Sequence, residues 1–113
     1  MTKEDSLNIA VATYLRMQYP TVLFCHIPNG GYRNAREGAK FKMMGVRAGM
    51  PNILIFEKKN IFSGLFIELK IGKNKTTDSQ NLVIKELIRL GWAGSICYTF
   101  EDAKHIIDNY LKN

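Results

Sequence analysis

Four residues in this chain have the types and spacing for chemistry on an anionic group: Asn52, Glu68, Lys70 and Gln80. Glu68 and Lys70 are two apart at the end of the apolar run Leu65-Phe66-Ile67, so on a strand they share one face. An acid and a lysine side by side there can hold a divalent cation and position a water. The ordinary alternative is an ion pair on the exposed face of an edge strand, and the Glu-x-Lys triplet alone does not decide between them.

Pro51-Asn52 lies sixteen residues before Glu68 and opens the preceding strand after a glycine-rich loop. With aspartate in place of Asn52, the pattern would read Pro-Asp … Glu-x-Lys, the signature of the PD-(D/E)xK nucleases. Two carboxylates on neighbouring strands, with the backbone carbonyl of Leu69, would then form an oxygen donor set suited to Mg²⁺ or Mn²⁺. Such an ion lowers the pKa of bound water and stabilises charge on an attacked phosphate, while Lys70 neutralises developing charge.

The elements that must position these residues follow from periodicity and punctuation. Leu7, Ala10, Val11, Tyr14 and Leu15 recur at helical spacing over 4–18, with Pro20 as the stop. Residues 22–26 read as a strand closed by the turn Pro28-Asn29-Gly30-Gly31, and 34–44 as a short basic helix capped by Asn34. Strands over 52–57 and 64–70, a helix over 77–90, a strand over 93–99 and a helix over 100–111 complete the order. This predicts an α/β fold with a mixed sheet of about four strands flanked by helices. At 113 residues, the chain has the length of one domain spanning 1–113.

Composition narrows the partners. The chain is 46% hydrophobic and 23% charged, with a net charge of +6. Residues 29–75 carry a balance of +7 and the rest −1. A basic middle suits a polyanion such as nucleic acid. A lysine-rich solvated surface would look the same on charge alone. Cys25 and Cys97 each sit in an apolar, strand-like run, which predicts buried thiols in a reducing compartment. No apolar stretch approaches the roughly 20 residues of a membrane span, and the first residues lack the apolar core of a signal peptide. A cytoplasmic protein is expected, in the host cytoplasm if viral, or a nucleoplasmic one if eukaryotic.

The stretches His26-Ile27-Pro28-Asn29-Gly30-Gly31, Gly45-Val46-Arg47-Ala48-Gly49-Met50-Pro51, Leu65-Phe66-Ile67-Glu68-Leu69-Lys70 and Ser79-Gln80 stand in the order and spacing of a known family. Over nearly its whole length the chain resembles the virus-type replication-repair nuclease (VRR-NUC) domain. The resemblance implies a restriction-endonuclease-like core and metal-dependent phosphodiester hydrolysis. It makes Glu68 a metal ligand, Lys70 the catalytic lysine and Gln80 the glutamine of the following helix. Stand-alone viral and phage members resemble Holliday-junction resolvases acting as homodimers, which implies branched DNA as substrate.

Asn52 departs from the family, which has a metal-binding aspartate there. Either the chain is a deliberately inactivated form, or it is a natural homologue that binds without cutting. Intact Glu68, Lys70 and Gln80 favour the first. The alternative function is that of a non-catalytic, structure-selective DNA-binding domain. Gln80 also completes a capping box with Thr77, which gives it an ordinary structural role beside the catalytic one. Glu4 sits favourably at a helix N-terminus and also on the inward edge of that helix, from where related nucleases bring an acid to the metal. Arg33, Arg36, Lys40, Lys42, Arg47 and Lys73 are candidate phosphate contacts. His26 shows no partner in the sequence, His105 is expected at the surface or in helix packing, and Trp92 is expected to pack near the end of the long helix.

Overall fold

The run Leu65-Phe66-Ile67-Glu68-Leu69 is too apolar to face water on either side, and the structure buries all five residues as the strand β3 (Leu65–Leu69). The structure is a computed structural model that describes residues 1–28 and 34–112. Around β3 lie α1 (Lys3–Gln18), β1 (Phe24–His26), α2 (Ala35–Met43), β2 (Ile53–Ile55), α3 (Asp78–Arg89), β4 (Ala93–Cys97) and α4 (Phe100–Leu111). The sheet order is β1-β2-β3-β4. β1 and β2 pair antiparallel, as do β2 and β3, while β3 and β4 are parallel and joined through α3. A parallel pair needs such a crossover because a tight turn cannot return the chain in the same direction. This is the expected mixed four-stranded sheet flanked by helices.

Alternation along the strands assigns the two faces. Ile53, Ile55, Leu65, Ile67, Leu69 and Cys97 pack with Val11 and Leu15 of α1 and Ala103, Ile107 and Leu111 of α4. On the other face Leu54 and Phe66 pack with Val83 and Leu87 of α3, alongside Trp92. Trp92 lies over Gly64, where a Cβ would come within 2.5 Å of its ring. The expected position of this indole at the end of the long helix is therefore the observed one. Glu68 is one residue out of phase with Ile67 and Leu69, so it belongs to the α3 face.

Helix ends follow their capping residues. Thr2 and Asp5 form a capping box on α1, Thr77 and Gln80 one on α3, and Asn34 and Thr99 cap α2 and α4. The strands are shorter than expected at their ends. β1 loses Val22 and Leu23, β2 loses Asn52 and residues 56 and 57, and β4 loses Tyr98 and Thr99.

A buried Cys25 is corrected. Both cysteines are free, but Cys25 is exposed and only Cys97 is buried. β1 is an edge strand, and α3 leans toward β4, leaving the outer end of its face open. Burial pushes the Cys97 thiol up to about 11. α1 and α4 are tied by Asp108, whose Oδ1 accepts from Tyr14 at 2.5 Å and Tyr19 at 2.6 Å. Lys104 reaches its Oδ2 at 2.9 Å. Among the described residues, no helix is long and apolar enough to cross a membrane.

Candidate metal centre

Continuing the β2–β3 register one residue beyond Ile53↔Ile67 puts Asn52 across from Glu68 on the α3 face. Both are buried, Asn52 at 5% and Glu68 at 1% relative exposure. The ladder ends here for a covalent reason. Pro51 stands opposite Leu69 and has no N–H to give its carbonyl. That leaves the Leu69 carbonyl without a ladder donor, while the Leu69 N–H donates to Asn52 Oδ1 at 2.7 Å. That bond fixes the amide's orientation, because an N–H needs an acceptor. Asn52 Nδ2 is thereby turned toward Glu4, and donates to its Oε1 at 3.4 Å. The Asn52 carbonyl accepts from Ile27 N–H at 2.9 Å and pairs with His26 Nδ1 at 2.8 Å. Asn52 therefore joins the ends of β1 and β3 and the first turn of α1.

Glu68 is partnered on one oxygen only. Its Oε2 accepts from Gln80 Nε2 at 3.0 Å and lies 3.4 Å from Lys70 Nζ. Its Oε1 is buried with no hydrogen-bond partner among the described residues. Burial holds the Glu68 carboxyl above the usual carboxylate range, against the pull of Lys70, and the nearby Glu4 charge pushes the same way as burial. An orphaned carboxylate oxygen in a buried site is costly unless something cationic or protic meets it.

Gln80 performs both roles that its sequence position allows. Its Oε1 accepts from the Thr77 N–H at 2.9 Å, closing the capping box, while its Nε2 reaches Glu68. The two ends of one amide thus lock the start of α3 to the acid on β3. The loop before β2 is held against the same helix end. Gly49 has φ +90°, and a Cβ there would lie 2.5 Å from the Ser79 carbonyl oxygen.

The structure thus brings together Glu4, Asn52, Glu68, Lys70 and Gln80 with the backbone of Leu69. Arg36, Lys40 and Lys42 lie exposed on α2, Arg47 in the loop after it, and Lys73 in the loop between β3 and α3. Arg33 falls outside the described residues. Sequence reading missed the His26 contact, because its partner is a backbone carbonyl that no residue type announces. It also missed the close approach of Gly49, signalled only by a glycine in a turn. His105 is exposed on α4, as expected of a surface residue.

These donors suit a hard divalent cation in kind: a bare carboxylate oxygen, a backbone carbonyl without its ladder donor, and a second acid at Glu4. They fall short by one charge. Among the described residues no cluster of three or more His, Cys, Asp or Glu side chains could hold a metal. Glu4 and Glu68 are the two carboxylates there, and Asn52 beside them is an uncharged amide.

No family model and no curated protein matches the sequence. Solved structures do. One, described as a VRR_NUC domain protein, aligns with a TM-score of 0.80 at 26% identity, covering 99% of this chain and 90% of its own. A second, described as a VRR_NUC domain, aligns at 0.63 and 17% identity, covering 97% and 99%, and speaks for the fold alone.

Proposed function

From the premise that this chain is a VRR-NUC domain, a domain of nuclease type, we propose that it is a structure-selective DNA endonuclease of PD-(D/E)xK chemistry, weakened by Asn52. The observation that carries this reading is Glu68 Oε1, a buried carboxylate oxygen without a partner among the described residues, beside Lys70 and across from Asn52. Glu68, the Leu69 carbonyl and Asn52 Oδ1 would hold Mg²⁺ or Mn²⁺, with Glu4 at the margin. The bound ion supplies Lewis acidity and a water of lowered pKa.

The chain's own groups do the rest. Gln80 orients Glu68 by holding one of its oxygens, which leaves the other to face the site. Lys70 is largely shielded from solvent, with a side chain 13% exposed, so its charge acts at low dielectric on a phosphate or an attacking water. Asn52 supplies an oxygen but no charge, which lowers metal affinity and lowers hydrolysis further. Arg33, Arg36, Lys40, Lys42, Arg47 and Lys73 contact backbone phosphates, which fix register without reading sequence. A domain spanning 1–113 with these contacts suits branched DNA such as a Holliday junction, with two copies making paired cuts as a homodimer.

The test compares the chain with its Asn52→Asp variant on a labelled four-way junction and a linear duplex, each with Mg²⁺, Mn²⁺ or EDTA. Cutting of the junction by the variant, abolished by EDTA and at least tenfold weaker in the parent, is expected. A variant that binds metal yet leaves every branched substrate whole sinks the nuclease reading.

One contact favours a second reading. The Asn52 Nδ2 donor meets Glu4 Oε1 where a cation would, so Glu4 is partnered without one. A non-catalytic, structure-selective DNA-binding domain follows. Its DNA affinity would fall steeply with salt and ignore both added metal and Glu68→Ala.

A further inference from the structure

The connection from β3 to α3 is built more firmly than a spacer requires. It runs Ile71-Gly72-Lys73-Asn74-Lys75-Thr76-Thr77, beginning beside Lys70 and ending at the cap that Gln80 closes. Both of its ends therefore belong to the candidate site. From Leu69 to Thr77 it contains three lysines and no acid. Lys73 and Lys75 are exposed, and among the described residues neither joins an ion pair. These two cations lie on the loop that leaves β3 just past Glu68 and Lys70, where they can meet an anion arriving from solvent.

The loop is pinned at three points. The Asn74 N–H donates to the Ile71 carbonyl at 3.1 Å, closing a turn in which Gly72 has φ +61°. Thr76 Oγ1 donates to Asn81 Oδ1 at 2.6 Å on α3. The third pin comes from the residue just past β4: the Tyr98 hydroxyl donates to the Asn74 carbonyl at 3.0 Å. Lys70 N–H bonds the Cys97 carbonyl at 2.9 Å, so the parallel register runs one step past Leu69↔Cys97 and sets Tyr98 beside Lys70. By alternation Tyr98 shares the face of Glu68 and Lys70. The residue is 40% exposed, so burial does not account for its place there.

We infer that Tyr98 is a positioning residue that holds the Lys73–Lys75 loop in place to bind the DNA phosphates flanking the attacked one. The inference rests on the nuclease reading and adds the device that presents substrate to that site. Its physical basis is pre-organisation. An untethered loop of this composition loses conformational freedom when its lysines engage phosphates, and that cost reduces affinity. A loop already tethered at Asn74 has lost that freedom on folding. Tyr98 makes no contact with the reacting atoms and acts only through Lys73 and Lys75.

The experiment measures binding of a fluorescent four-way junction to the full chain in EDTA across a salt series. It compares the parent, Tyr98→Phe, the double variant Lys73→Gln/Lys75→Gln, and the triple variant. Tyr98→Phe is expected to bind about fivefold more weakly, the worth of one hydrogen bond. The double variant is expected to weaken binding and reduce the salt slope by about two, one for each phosphate left without its lysine. The triple variant is expected to match the double, because without the lysines the tether has nothing to position. Parent-like affinity of Tyr98→Phe overturns the inference, as does an equal Tyr98→Phe penalty in both backgrounds, and both leave the nuclease reading intact. Failure of the parent to bind junction or duplex even at low salt overturns the nuclease reading and this inference with it. Thermal melts of the four proteins separate lost folding from lost binding, and the lysine variants, confined to the surface, test the loop even if Tyr98→Phe melts early.

Discussion

Replacing Asn52 by aspartate should destabilise the metal-free protein, and by an amount that the geometry bounds. The change turns an N–H···O contact of 3.4 Å with Glu4 into two carboxylate oxygens at the same separation. At 3.4 Å, Coulomb repulsion is about 1 kcal/mol in water and about 5 kcal/mol at an effective dielectric of 20. Glu4 is exposed and can swing away, so the low end applies, about 1–2 kcal/mol. Loss of the hydrogen bond adds about 1 kcal/mol. Together these lower Tm by about 8–12 °C, at roughly 4 °C per kcal/mol for a chain of this size. Mg²⁺ or Mn²⁺ at about a hundred times its Kd returns about 2.7 kcal/mol, which closes the gap. The assay is thermal unfolding of parent and variant in EDTA and across a metal titration. The parent should shift little, since its Asn52 amide already satisfies Glu4. A variant as stable as the parent in EDTA, or one that gains nothing from metal, would refute the idea that Asn52 stands in for a ligand and its ion.

Two further outcomes are expected. Burial alone would raise the Asp108 carboxyl, but hydrogen bonds from Tyr14, Tyr19 and Lys104 overcome it and hold the group far below the usual carboxylate range. A depressed pKa contributes stability above the ordinary value near 4 that is lost as pH falls through the folded one. Asp108→Asn should therefore cost about 2 kcal/mol at pH 7 in urea unfolding, with the deficit shrinking steadily below about pH 4; a deficit independent of pH counts against the network. Gly49→Ala should destabilise by clearly more than Gly45→Ala. Both residues have positive φ, worth about 1–2 kcal/mol to an L side chain, but only at Gly49 would the methyl meet the Ser79 carbonyl. Equal losses in parallel melts would show that the loop yields at no cost.

The sequence by itself determined the elements, the faces of the sheet and the pair Glu68 and Lys70. Those features are written locally. Alternation puts Glu68 and Lys70 on one face wherever the strand lies, and Thr77 with Gln80 marks a helix start from neighbours alone. Asn52 was also legible as the position lacking a charge. Tertiary structure decided how that position is used. The direction of the Asn52 amide depends on the Leu69 N–H, which donates to the side-chain oxygen just beyond the last β2–β3 pair. His26 meets a backbone carbonyl, and backbone atoms carry no residue type for a pattern to reveal. Asp108 draws on Tyr14 and Tyr19, each about ninety positions away, and Tyr98 draws on Asn74 across the sheet edge. Cys25 was misplaced for the same reason: its apolar neighbours describe a strand, but only packing makes that strand an edge. Periodicity encodes which side a residue faces, whereas the contacts it finds there depend on chain segments brought together by folding.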